Sequence, residues 1–456
     1  MSLRRLSLGI GSGLFDKVVV ALVQLIMVPL LSNAWGLHLY GTWAMMITIP
    51  SMLVLSDFGI VSSAWARMTM FISRGEMGEA RSVLHTAWLS ASLSCCVVIV
   101  VTVATSMLLS DEMITGGEQM NAFQTRIIIV LLALYGLGVI MFRLNTAIFR
   151  AAGNFTLATW CSTASFTLEN MALLACVLSG GRPLAAAITL LIARLVAIGF
   201  VFWLSHRRFR EVSPGFSHAS RLQWREMWRP ALSSSLLGFG SLAFLQTSVL
   251  ALGFVAGSAA VPAFMAVRTL SRVGLQVAMM IANPAAQEFA QEMSLGHSFR
   301  AGRYFGLVGA TSIIMGLGMA IGLTVLGLPF IDLWTGGAID VSFLLIVFMA
   351  TSSAAAVLWN ALAALISALN RQGSIAPINF VVCVVGVAVI LLLGDRIGAD
   401  AAGLAYAVTD AVTVFSLALF VRRSWWRDAE FRRGTYAALS QLRAPRSALN
   451  ALRRGI

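Results

Sequence analysis

Twelve apolar runs of about 20 residues leave this 456-residue chain few ways to fold. They fall at 10–33, 40–64, 83–109, 123–149, 156–179, 185–205, 231–256, 260–288, 304–330, 341–368, 375–394 and 401–421. Hydrocarbon offers no water to unpaired backbone amides, so runs of this length cross it as helices. Only 11% of residues are charged, against about a quarter in soluble proteins. The expected fold class is therefore an all-α integral membrane protein with about 12 transmembrane helices.

The net charge of +13 could suggest nucleic acid, but the arginines sit in short segments between apolar runs, as a topology signal does. One set of connections carries Arg4 and Arg5, then Arg67, Arg74 and Arg81, then Arg150, six arginines from Arg207 to Arg229, Arg300 and Arg303, Arg371, and nine from Arg422 to Arg454. The opposite set is acidic or nearly neutral: Asp111, Glu112 and Glu118, a lone Arg182, Asp332 and Asp340, and Asp395, Arg396 and Asp400. Positive loops stay inside, so both termini are expected in the cytoplasm. The basic start at MSLRRLSLGIGSG lacks an Ala-x-Ala exit, which predicts a first span rather than a cleaved signal. Lys17 is the sole lysine and follows no glycine-rich turn, so the chain has no P-loop. Cys95, Cys96, Cys161, Cys176 and Cys383 lie in apolar runs without metal-ligand spacing and read as packing residues; no metal or cofactor is expected.

Six spans on each side of residues 206–229 suggest two lobes, at 1–205 and 230–421, followed by a basic tail at 422–456. Loop glycines support a repeat. Gly36 and Gly257 lie one offset apart (257 − 36 = 221), Gly75 and Gly296 lie at the same offset, and Gly153 and Gly373 differ by 220. Six is an even number, so the lobes would be pseudo-symmetric parallel repeats, an arrangement that places substrate between halves and alternates its access. The connection SRLQWREMWRP reads as an interfacial amphipathic helix with Trp224 and Trp228 near the headgroups, and the tail as a basic segment on the inner leaflet.

Charges inside spans are costly and point to function. Within 262–287, Arg268, Arg272, Gln276, Asn283 and Gln287 share an arc of roughly 100°. Two arginines one turn apart with no acid between them suit an anion, because the guanidinium fork donates paired hydrogen bonds to phosphate. Lys17 and Arg143 complete the candidate cationic set, and the substrate implied is a sizeable anion bearing phosphate. Asp57, Glu169 and Asp410 are the candidates for coupling to a proton or sodium gradient. The structural readings are pairing of Glu169 with Arg194, and of Asp57 with Arg67 or a neighbouring helix end. Asp16 is near enough to the interface to reach water.

Several stretches carry a resemblance. VPLLSNAWGLHLYGTWAMMITIPSMLVLSDFGIVSSAWAR holds a YG-x-W opening and the DFG of Asp57, Phe58 and Gly59; SRGEMGEARSVLHTAW, AIFRAAGNF and LISALNRQGS follow. These resemble the polysaccharide branch of the multidrug/oligosaccharidyl-lipid/polysaccharide exporter superfamily, the O-antigen and capsule flippases, over nearly the full length. The resemblance implies movement of an undecaprenyl-diphosphate-linked oligosaccharide from the inner to the outer leaflet of the bacterial inner membrane, for exopolysaccharide or O-antigen assembly. It implies basic residues of the first and eighth spans as the substrate contacts, here Lys17 and Arg268 or Arg272. Partners would be the lipid-linked substrate, membrane lipids and other polysaccharide-assembly proteins, with no nucleic acid. The chain would not be an enzyme. The alternatives are a drug/cation antiporter of the same superfamily, which should present acids and aromatics, and a membrane glycan polymerase or acyltransferase. The latter class needs a large outer loop or a buried His/Asp pair, whereas the five histidines read as helix-end or loop residues.

Overall fold

Backbone groups in hydrocarbon must pair within their own segment, and helices account for the chain accordingly. The computed structural model describes residues 3–55, 57, 59–108, 121–369, 371, 373 and 375–443. Asp111, Glu112 and Glu118 lie outside the described residues. Fourteen α-helices and no strand occur among the described residues: α1 Leu3–Met46, α2 Thr48–Leu55, α3 Ile60–Ser73, α4 Met77–Leu108, α5 Ala122–Ala151, α6 Phe155–Leu178, α7 Pro183–Arg208, α8 Arg221–Ala256, α9 Ala260–Ser294, α10 Ser298–Thr335, α11 Phe343–Ala368, α12 Ala376–Ile397, α13 Ala399–Ser424 and α14 Ala429–Arg443. Among the described residues ten helical segments are long and apolar enough to cross a bilayer, and Gly240–Ala256 is a shorter apolar one. The first of the ten, Phe15–Val54, contains 40 residues and takes in most of the first predicted run and most of the second. The chain is a multi-pass membrane protein.

The second predicted span is not one helix. Gly36, at φ 74° and ψ 168°, breaks α1 in a conformation that L side chains avoid. The chain then breaks again around Asp57 and Gly59 before α3. Between these breaks Gly41 faces the Ser258 carbonyl, where a Cβ would lie 1.8 Å from that oxygen. Small residues at such crossings are what let membrane helices approach, since burial from lipid supplies little drive.

Two compact units are present: Met1–Pro262 with Thr335–Ile339, and Ala263–Trp334 with Asp340–Ile456. In the first, Met68, Leu84, Leu144 and Ile148 are fully buried in a core joining α3, α4 and α5, and Val212 and Met227 close it. In the second, Phe289, Phe305, Trp425 and Phe431 pack together, with Phe289 and Trp425 ring centroids 5.0 Å apart.

The glycine offset has a structural counterpart. Gly257 takes φ 85° and ψ 158°, close to the values at Gly36. The turns at Gly75 and Gly296 repeat bond for bond at the same offset. The Gly75, Glu76 and Ala80 amides donate to Ile72, Phe71 and Glu76, and the Gly296, His297 and Ala301 amides donate to Met293, Glu292 and His297.

The stretch at 206–229 differs from the expectation of a separate interfacial helix and lies within the first unit. From Arg221 the backbone runs as one 36-residue helix to Ala256; stopping it near the membrane surface would orphan its last carbonyls. Its start is pinned to the first unit. Ser63 donates to the Met227 carbonyl at 3.1 Å, Arg67 to Gln223 at 2.8 Å and also to Glu226, and Gln223 to Glu79 at 2.8 Å. The tail helix α14 is likewise packed rather than merely adsorbed: Phe431 is buried, Thr435 donates to the Gly302 carbonyl at 3.1 Å, and a Cβ on Gly434 would meet the Phe299 carbonyl oxygen at 1.9 Å.

Candidate functional site

The acids and bases of the apolar helices fall into three groups. In the first unit, Glu169 on α6 is buried and pairs with Arg194 on α7 at 2.6 Å, as the sequence suggested. Ser165 and Tyr135 also donate to this carboxylate, at 2.8 and 2.7 Å. Arg194 stacks over the Tyr135 and Phe142 rings at 5.1 and 5.3 Å. Every charge here is matched, so the group holds α5, α6 and α7 together.

The second group gathers charges of α1, of the break before α3 and of α5. Asp57 pairs not with Arg67 but with Arg143, at 3.1 Å, and its other oxygen accepts the Gly59 amide at 2.7 Å. One carboxylate thus caps the break before α3 and neutralises a cation of the candidate set. Arg67 is taken up by Gln223 and Glu226 instead. Lys17 is exposed, with its ammonium 3.8 Å from Asp16, which accepts a hydrogen bond from Thr163 at 2.7 Å.

The third group belongs to the second unit and includes the stripe on α9. Arg268 is buried beside the Phe264 ring at 5.3 Å, and one of its nitrogens meets the Met265 sulfur at 2.8 Å. Arg272, a turn on, is partly buried, within electrostatic reach of Arg268, Tyr406 and Asp410. Among the described residues no carboxylate lies within 4 Å of it. Gln276 is partly buried, while Asn283 and Gln287 are exposed on either side of Pro284, which interrupts the helix hydrogen bonding. On α13, Asp410 accepts from Ser352 at 2.5 Å and from Trp359 at 2.8 Å, both on α11. No described cation lies within 4 Å of it.

Sequence reasoning missed Tyr135, Ser165, Ser352 and Trp359. Ser165 lies four residues before Glu169, and Ser352 seven before Trp359, so helical spacing places each pair on one face. It also missed His85, which is buried in α4 rather than at a free helix end; its Nε2 meets the Ser213 carbonyl at 3.0 Å and its Nδ1 accepts the His218 amide at 3.0 Å.

A family model described as polysaccharide biosynthesis protein matches residues 9–287, more than half of the chain. The chain belongs to this polysaccharide biosynthesis protein family. Its fold is that of transporters of the MOP superfamily. The lipid II flippase MurJ in an inward closed conformation superposes with TM-score 0.70 at 12% identity, covering 94% of this chain and 90% of that one. An inward-facing multidrug resistance MATE family transporter gives TM-score 0.67 at 13% identity, covering 89% and 98%. A eukaryotic MATE transporter gives 0.62 at 17%, covering 95% and 98%. No curated protein matches. At these identities the neighbours establish the fold of this polysaccharide biosynthesis protein, and its own residues must argue the rest.

Proposed function

We propose that this chain flips an undecaprenyl-diphosphate-linked oligosaccharide across the bacterial inner membrane by alternating access, with both termini cytoplasmic, for surface polysaccharide assembly. Arg272 carries the reading: a guanidinium inside an apolar helix with no carboxylate within 4 Å among the described residues has its fork available for a phosphate. Arg268, on the same face, adds a second positive charge. In the first unit Lys17 and Arg143 are both exposed, and Lys17 is the more loosely held, 3.8 Å from Asp16 against 3.1 Å between Arg143 and Asp57. The family match supports the polysaccharide side of the reading. Of the three acids considered for coupling, Asp410 fits best, because Asp57 and Glu169 are each tied to an arginine.

One observation favours a second reading. Asp410, with Trp359 and Ser352 as its donors, is a partly buried acid with an aromatic neighbour, which suits a cationic drug in an antiporter. Deleting the gene and extracting lipids separates the two. A diphosphate-linked oligosaccharide should accumulate on the inner face, cured by wild type and not by a normally inserted Arg272→Glu variant. No accumulation, together with greater sensitivity to cationic drugs, would sink the flippase reading in favour of the antiporter.

A further inference from the structure

Within the first unit a cavity of about 810 Å³ follows α4 where it meets the start of α8. One wall is Leu89, Leu93 and Val97, an i, i+4, i+8 seam, all exposed. The other is the face of α8 bearing Arg221, Trp224 and Trp228, whose indoles stack at 5.8 Å with planes 17° apart. The groove is thus polar at one end and apolar along its length. At the polar end the Ser220 amide donates to Thr86 at 2.9 Å and the Ser220 hydroxyl accepts from Leu222, so the backbone there is satisfied and Arg221 is left exposed. Among the described residues no acid lines the groove.

We propose that this groove is a binding site for one anionic phospholipid. Its phosphate meets Arg221, its glycerol region lies against the Trp224–Trp228 stack, and one acyl chain runs along Leu89, Leu93 and Val97. Three features choose this occupant. The chain spans a bilayer, so a crevice lined by exposed leucine and valine on a spanning helix opens to lipid. Tryptophan pairs settle at headgroup depth. The single guanidinium, unopposed by acid, selects the anionic lipids of the inner leaflet. The volume is of the order that holds a small ligand, about 300–1,000 Å³, which suits one acyl chain and not a long isoprenoid. Because the same stretch of α8 is tied to Ser63, Arg67 and Glu79 through Met227 and Gln223, an occupied groove braces the packing of α8 on α3 and α4 within the first unit.

Tryptophan fluorescence of the full chain reconstituted with acyl-brominated phospholipids tests this. The Trp224 contribution is taken as the difference between wild type and Trp224→Phe. Brominated phosphatidylglycerol should quench it at a mole fraction about fivefold lower than brominated phosphatidylcholine, the preference one basic residue confers near a membrane surface. Arg221→Gln, a change at an exposed side chain, should erase that preference. Equal quenching by the two headgroups in wild type would overturn the proposal, as would a preference that survives Arg221→Gln. Displacement of the brominated lipid by an equimolar polyprenyl phosphate would overturn it too, by assigning the groove to an isoprenoid.

Discussion

The first unit buries a carboxylate at Glu169 and the second holds a partly buried one at Asp410, and the two are held in opposite ways. Glu169 is gripped by a guanidinium, a phenol and a hydroxyl. Among the described residues Asp410 is held by neutral donors, an indole and a hydroxyl, with no guanidinium within 4 Å. The repeat makes the contrast sharper. At Gly138 on α5 a Cβ would lie 2.6 Å from the Arg194 side chain, so glycine is what lets that arginine pass. The residue 221 further on is Trp359 (359 − 138 = 221), which donates to Asp410. In the first unit the ion pair that joins α6 to α7, with Tyr135 of α5 as a further donor, is closed and neutral. In the second, the pair α11 with α13 keeps an acid that can gain a proton or meet a cation without first breaking an ion pair. We read the first as a fastening and the second as the place where a gradient acts.

The most damaging way to break this contrast is to remove Glu169. Glu169→Ala leaves Arg194 buried without its counter-ion and should cost about 3–5 kcal/mol, seen as a collapsed melting temperature and poor recovery from membranes. Replacing both partners, Glu169→Leu with Arg194→Leu, should restore most of that stability. If the double variant transports normally, the fastening role stands; if it is stable but inactive, Glu169 belongs with Asp410 after all. Asp410→Asn probes the other side. The amide oxygen still accepts from Trp359, so folding should survive within about 1 kcal/mol while gradient-driven transport falls at least tenfold. A variant with unchanged dependence on the gradient would remove Asp410 from coupling. Arg272→Lys should insert and fold but transport less well, because a point charge cannot give the paired hydrogen bonds of the fork.

Spans, repeat and the Glu169–Arg194 pair were legible from the chain because each leaves a periodic or charge-based trace. Apolar runs announce helices, loop glycines at one offset announce a duplicated turn, and opposite charges on adjacent spans in mid-membrane have few other partners. What stayed hidden was which cation each acid would choose. Arg67 and Arg143 are both candidate partners by position along the chain, and the carboxylate that accepts the Gly59 amide at the break before α3 reaches Arg143 on α5. Neutral donors leave a weaker trace still: nothing about Trp359 or Tyr135 alone distinguishes them from the other aromatics of an apolar helix. The run from Arg221 to Ala256 was misread because its amphipathic start resembles an independent surface helix, and only the bonds to Ser63, Arg67 and Glu79 show it fixed in place.

The smallest effects test whether neutral donors alone can hold a carboxylate. Trp359→Phe removes one of Asp410's two hydrogen bonds and should lower stability by about 1 kcal/mol, read as a shifted denaturation midpoint. Asp428 provides the same chemistry in water, at the start of α14 and outside the spans. Its carboxylate accepts from Ser298 and from the Glu430 amide at 2.9 Å, and these donors, the Ser298 bond foremost, hold its pKa below the ordinary 3.8. A lowered folded value means that the ionised acid stabilises the cap at all pH above the ordinary value, and that the contribution fades as pH falls through the lower one. Amide exchange at Glu430 and Phe431 should therefore be flat from neutral pH down to about 4 and quicken relative to the rest of α14 only below 3.8. In Asp428→Asn, whose side chain has no proton to gain, the relative rates should not change with pH. Equal acid sensitivity in both forms would mean that the cap owes nothing to the charge. Neutral donors would then be too weak to hold an exposed carboxylate, and the case for Asp410 would rest on its burial alone.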